Sequence, residues 1–110
     1  MAANNYATSL VKLERFEEAK SLLRRILPIE RRVHGENDEA TLKMLSIYAE
    51  ALYRDDGASL DDVREAVTTL EDTARIARRV LGGAHPLTSA IESFSLQNAR
   101  AALARASLAK

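Results

Sequence analysis

Cysteine and tryptophan are absent from this 110-residue chain, proline occurs twice and glycine four times. Without cysteine there are no disulfides and no thiolate metal sites, a composition that fits a reducing compartment. Scarce glycine and proline beside abundant Ala, Leu, Arg and Glu favour helix throughout. An excess of one charge is missing too: 16 basic and 16 acidic residues cancel. No global field therefore draws the chain to DNA, RNA or an anionic membrane, and neither nucleic acid nor membrane is an expected partner. No apolar run approaches ~20 residues. Met1-Ala2-Ala3-Asn4-Asn5-Tyr6 lacks the basic region and apolar core of a secretory leader. The chain reads as soluble and cytoplasmic. Its 46% hydrophobic and 29% charged residues suit one domain, 1–110, with a modest shared core.

Chemistry-bearing motifs are also scarce. There is no glycine-rich phosphate loop and no nucleophile motif. The two histidines, His34 and His85, stand in turns with no second ligand or nucleophile at matching spacing. Asp55, Asp56, Asp61 and Asp62 lack the spacing and terminal glutamate of a calcium loop and read as a solvated loop followed by a helix start. Arginine pairs at 24–25, 31–32 and 78–79 lie where a helix dipole favours cations, and this outweighs a dedicated anion site. No catalytic residue, metal or cofactor is expected; the chain does not read as an enzyme.

What is present is a repeat. Arg31-Arg32-Val33-His34-Gly35-Glu36-Asn37-Asp38-Glu39-Ala40-Thr41 returns as Arg78-Arg79-Val80-Leu81-Gly82-Gly83-Ala84-His85-Pro86-Leu87-Thr88. Each copy reads as the basic end of a helix, a glycine in the left-handed region, a polar turn and a capped start. Helical spacing predicts a first helix with Tyr6, Ala7, Leu10 and Leu13 on its buried face. A second, about 16–33, carries Phe16, Ala19, Leu23, Ile26 and Val33 and runs through Pro28 with a kink. A third, about 38–54, buries Leu45, Tyr48, Ala49 and Leu52. Ser59 and Asp62 form a capping box for a fourth, with Val63, Ala66, Val67, Leu70, Ala74 and Val80 inward. A fifth, about 86–108, places Ile91, Phe94, Ala101 and Leu108 near one side. Tyr6-Ala7 and Leu10 match Tyr48-Ala49 and Leu52 at an offset of 42, and Ala19, Leu23 and Val33 match Ala66, Leu70 and Val80 at 47. The five extra residues fall in the Asp55–Asp61 loop, where added length costs little. The expected fold is all-α: a solenoid of antiparallel helical hairpins.

Tyr6-Ala7, Leu10, Phe16, Ala19, Leu23 and Ile26-Leu27, repeated by Tyr48-Ala49, Leu52, Ala66, Leu70 and Thr73-Ala74, resemble the small-and-large pattern of the tetratricopeptide repeat. The longer period, the Arg-Arg-Val-x-Gly ending and Gly82-Gly83-Ala84-His85-Pro86-Leu87-Thr88 resemble its kinesin-light-chain type. The resemblance implies repeat one at about 3–35, repeat two at about 38–82 and a terminal capping helix at about 86–108. Glu14 replaces the usual glycine, and Ser95-Leu96 the usual aromatic and small pair.

In such a stack the first helix of each hairpin lines the concave surface. Spacing then places Asn4, Asn5, Thr8, Lys12, Lys43, Ser46, Glu50, Arg54, Ser93, Gln97 and Arg100 in the groove. Asn4-Asn5 resembles the asparagine pair that holds peptide backbone in kinesin-light-chain-like repeats. The expected function is a non-catalytic scaffold that binds a peptide segment of a partner protein. The alternative is a structural fragment of a longer array, associating with itself or with further repeats through exposed terminal helices.

Overall fold

The computed structural model describes residues 2–108. The elements are α1 (Ala2–Lys12), α2 (Phe16–His34), α3 (Glu39–Arg54), α4 (Leu60–Leu81), α5 (Pro86–Ala90), a π segment (Ile91–Ser95) and α6 (Leu96–Leu108). No strand occurs among the described residues, and the chain is an all-α stack of two hairpins followed by a third helical run. The expected fifth helix is present, but the π segment interrupts it where the sequence suggested an unbroken run.

Each boundary follows from local chemistry. Glu14 turns α1 into α2 at φ +60°, the left-handed region that an L residue enters at a cost of roughly 1–2 kcal/mol. Gly35 and Gly82 end α2 and α4 at φ +90° and +92°. Their ψ angles, 162° and 156°, are extended rather than left-handed helical as expected, in a region essentially closed to other residues. Each glycine N–H reaches back to the arginine four residues earlier, Arg31 or Arg78. Asp38 Oδ2 then caps α3 by accepting from Ala40 N, and the His85 ring caps α5 by accepting from Leu87 N, both at 3.0 Å. Ser59 and Asp62 close both arms of the expected capping box on α4, at 3.1 and 3.2 Å. Asp55 accepts from Gly57 N in the loop before it, so the acidic cluster's members shape the turn and the helix start.

The core runs along α3, which packs against α1, α2, α4 and α6 and buries Thr41, Leu42, Met44, Leu45, Ile47, Tyr48, Ala49, Ala51 and Leu52. Ala7, Leu10, Ala19, Leu23, Ala66 and Leu70, the residues that define the repeat, are all buried. Several expected core positions are not. Val33 and Val80 are exposed because α2 and α4 outrun their partners: 19 residues span about 28 Å, whereas the 11 of α1 span about 16 Å. Glu30 and Ala77 are the buried residues of those last turns instead. Tyr6 on α1 and Leu13 in the turn after it are exposed, with Val11 and Asn4 buried in their place. On the last run Phe94, Ala101 and Leu108 face outward, while Thr88, Ile91, Ser95, Leu96, Ala99 and Ala102 face α4 and α3.

Candidate interaction surface

α1, α3 and α6, the first helices of successive units, lie side by side, and two clefts open between them. The smaller, ≈ 330 Å³, is lined by Asn4 of α1 and by Glu39, Ala40 and Lys43 of α3. Asn4 is only 4% exposed, and its Oδ1 has no hydrogen-bond partner among the described residues. A buried acceptor left unmet costs about 1–3 kcal/mol, which an arriving N–H would relieve.

The larger cleft, ≈ 490 Å³, lies between the C-terminal half of α3 and α6. It is lined by Glu50, Tyr53, Arg54 and Asp56 on one wall and by Phe94, Asn98, Ala101 and Arg105 on the other. Two rings, two acids, two arginines and an amide therefore face one space. Arg54 is held 3.0 Å from Glu50 and its guanidinium sits 5.8 Å from the Phe16 ring centroid, which fixes an otherwise flexible cation. Burial, and after it the Glu50 charge, push the Tyr53 phenol up to about 12, so Tyr53 stays a hydrogen-bond donor throughout the neutral range.

Of the residues expected in the groove, Lys43, Ser46, Glu50 and Arg54 fall on the stripe of α3 that the core leaves uncovered. Asn4 and Lys43 meet in one cleft, Glu50 and Arg54 in the other. Asn5 and Lys12 are exposed and Thr8 is half-buried on α1, outside both clefts; Ser93 and Gln97 are exposed, also outside them. Arg100 points to α4, where it bonds Glu71 Oε2 at 3.0 Å. In its place α6 turns Asn98 and Arg105 toward α3. Tyr53, Phe94, Asn98 and Arg105 escaped the spacing argument because it marks the outermost line of each helix, whereas a cleft is bounded by the facing flanks. The signal was available: Tyr53 lies three residues after Glu50, and Arg105 falls at helical spacing on the side of the last run where Phe94 and Ala101 had been placed.

In two of the arginine pairs the first member meets an acid near the helix end. Arg78 forms two bonds to Glu92, at 2.8 and 2.9 Å, and holds that carboxylate below its ordinary value. Arg31 lies 3.8 Å from Glu36. No helix among the described residues is long and apolar enough to cross a membrane.

A family model described as a tetratricopeptide repeat matches residues 1–40. No curated protein and no solved structure matches the chain. The matched stretch covers α1, α2 and the turn that leads into α3.

Proposed function

We propose, of a chain that is a tetratricopeptide repeat protein with its matched unit in residues 1–40, that it is a non-catalytic scaffold holding a peptide segment of a partner protein along α1, α3 and α6. Repeats of this family generally mediate protein–protein interactions. The observation that carries the reading is the cleft where Glu50 and Arg54 meet Tyr53, Phe94 and Asn98. It offers a mostly polar space with two rings in its walls, where charged groups and an amide can hold the backbone and polar side chains of an extended peptide while the rings receive an apolar one. Asn4, with its unmet carbonyl beside Lys43, supports a second backbone contact on the same side. The paired glycine turns and the Arg-Arg-Val-x-Gly ending support the kinesin-light-chain-like type of repeat.

Panning a displayed peptide library against the full chain tests this. Recovered peptides bind with micromolar affinity that falls with added salt, because exposed ion pairs are individually weak and screened. Phe94→Ala, Asn98→Ala and Arg54→Ala each weaken binding with the helical signal intact. Arg31→Ala and Arg64→Ala, on α2 and α4, leave it unchanged. Recovery of no binder, or sensitivity confined to the α2 and α4 arginines, overturns the proposal.

A further inference from the structure

The joint between the two hairpins contains a polar lock. Tyr48 of α3 is 8% exposed; its hydroxyl donates to Glu65 Oε2 of α4 at 2.9 Å and accepts from Arg24 Nε of α2 at 3.2 Å. The same guanidinium lies 5.7 Å from the Tyr48 ring centroid. Three helices thus meet at one phenol: the tyrosine and glutamate come from one hairpin, the arginine from the hairpin before it.

Half of this lock is present again on the outer face of the first hairpin. Tyr6 precedes Tyr48 by 42 residues and Glu18 precedes Glu65 by 47, the two offsets of the repeat. Tyr6 and Glu18 line one cleft of ≈ 350 Å³ with Leu10, Glu17, Ser21, Leu22 and Arg25. No helix covers it among the described residues, and Tyr6 is 57% exposed where Tyr48 is closed over. The missing element is an arginine on the Tyr6 ring: Arg25 lines the cleft but, among the described residues, neither bonds Tyr6 nor stacks on it.

We propose that this face docks an arginine-bearing amphipathic helix of a partner protein, with the arginine stacked on Tyr6 and bonded to its hydroxyl, as Arg24 is on Tyr48. Glu17 and Glu18, paired here with Lys20 and Arg15 at 2.7 Å each, share those exposed carboxylates with the incoming arginine, and Leu10 and Leu22 form the apolar floor. A second copy of this chain does not meet the requirement in the same register. The helix that follows α2 in the repeat is α4, and it carries Glu71 at the position of Arg24, already bonded to Arg100. Two carboxylates would then face one another across Tyr6.

The probe is a synthetic peptide with the sequence of Phe16–His34, which contains no tyrosine, held helical by a staple on its solvent side. Titrated into the isotope-labelled full chain, it shifts the Tyr6, Glu18, Leu22 and Arg25 resonances saturably. A peptide carrying R24E binds about tenfold more weakly. In the protein, Glu18→Arg weakens the arginine peptide and restores the glutamate peptide, a reciprocal swap that unspecific sticking does not produce. Circular dichroism verifies that the variant is folded. No saturable shift at millimolar peptide, equal binding of both peptides, or shifts centred on Tyr48 overturn the proposal. A dimer in sedimentation equilibrium that Tyr6→Ala dissolves also overturns it, in favour of self-association. The residues read here are outside the α3–α6 cleft, so the two tests fail independently.

Discussion

The joint between α1 and α3 is packed shut around Val11, Ile47 and Ala51 and opens only at its Asn4 end, whereas the joint between α3 and α6 holds the larger cleft, although one repeat builds both. At the closed joint Val11 and Ala51 are buried and Ile47 is 8% exposed. Their repeat equivalents at the open joint are Tyr53, Asn98 and Phe94, and Phe94 is 62% exposed. Two aliphatic side chains and an alanine let helices approach. Two rings and an amide do not, because the rings are too bulky for the same approach and closing over Asn98 would strip water from an amide whose polar atoms one neighbouring phenol cannot all satisfy. The difference teaches that one repeat frame carries two kinds of seam: the three positions that pack the first line a cleft of ≈ 490 Å³ at the second.

Exchanging the amide between joints breaks the comparison most strongly. Ala51→Asn forces a polar, larger group into a fully buried position and costs about 3 kcal/mol in urea unfolding followed by circular dichroism. The reciprocal Asn98→Ala, on an exposed residue, changes stability by less than about 0.5 kcal/mol. Equal losses would mean that the two joints are packed alike.

The turns sharpen the comparison from the other side, since they are the part the joints share. Nothing lies within 4 Å of a Cβ built on Gly35 or Gly82, so Gly35→Ala and Gly82→Ala test backbone strain alone. Each costs roughly 1–3 kcal/mol, by similar amounts at both turns. Glu14→Gly works in the opposite sense and gains about 1 kcal/mol by relieving the positive φ.

The smallest effect distinguishes an inner from an outer tyrosine. Tyr48→Phe removes a hydroxyl that bridges Arg24 and Glu65 and costs about 1 kcal/mol. Tyr6→Phe, on the exposed counterpart, leaves the unfolding midpoint unchanged. A loss at Tyr6 equal to that at Tyr48 would show that the phenol matters within its own hairpin rather than across the joint.

These contrasts mark what was legible in the residues alone. Caps, glycine stops, the Ser59–Asp62 box and the 42 and 47 offsets were readable because each is settled within a few residues of chain. Exposure of Tyr6, Val33, Val80 and Phe94 was not, because spacing says which residues share a face but not whether another helix covers that face. The same limit hid Tyr53 and Asn98, which become a site only through the angle between α3 and α6. It also hid buried Lys20. Burial pulls its pKa down, but the Glu17 hydrogen bond and the charges of Glu17, Asp55 and Asp62 outweigh that and raise it. Val67 stands 47 residues later, so one repeat position takes a cation that ties α2 to the acidic loop and the other an aliphatic side chain.

The central place of α3 also decides how the molecule comes apart. A solenoid whose repeats meet only their neighbours can lose them one at a time from either end. Here a single 16-residue helix supplies contacts to both hairpins and to the last run, so neither hairpin keeps its core when α3 leaves. Opening at α1 or α6 is local and shallow, whereas opening at α3 is the global event. α3 forms one wall of both clefts, so a ligand that bridges either cleft ties α1 or α6 more firmly to the centre of the fold.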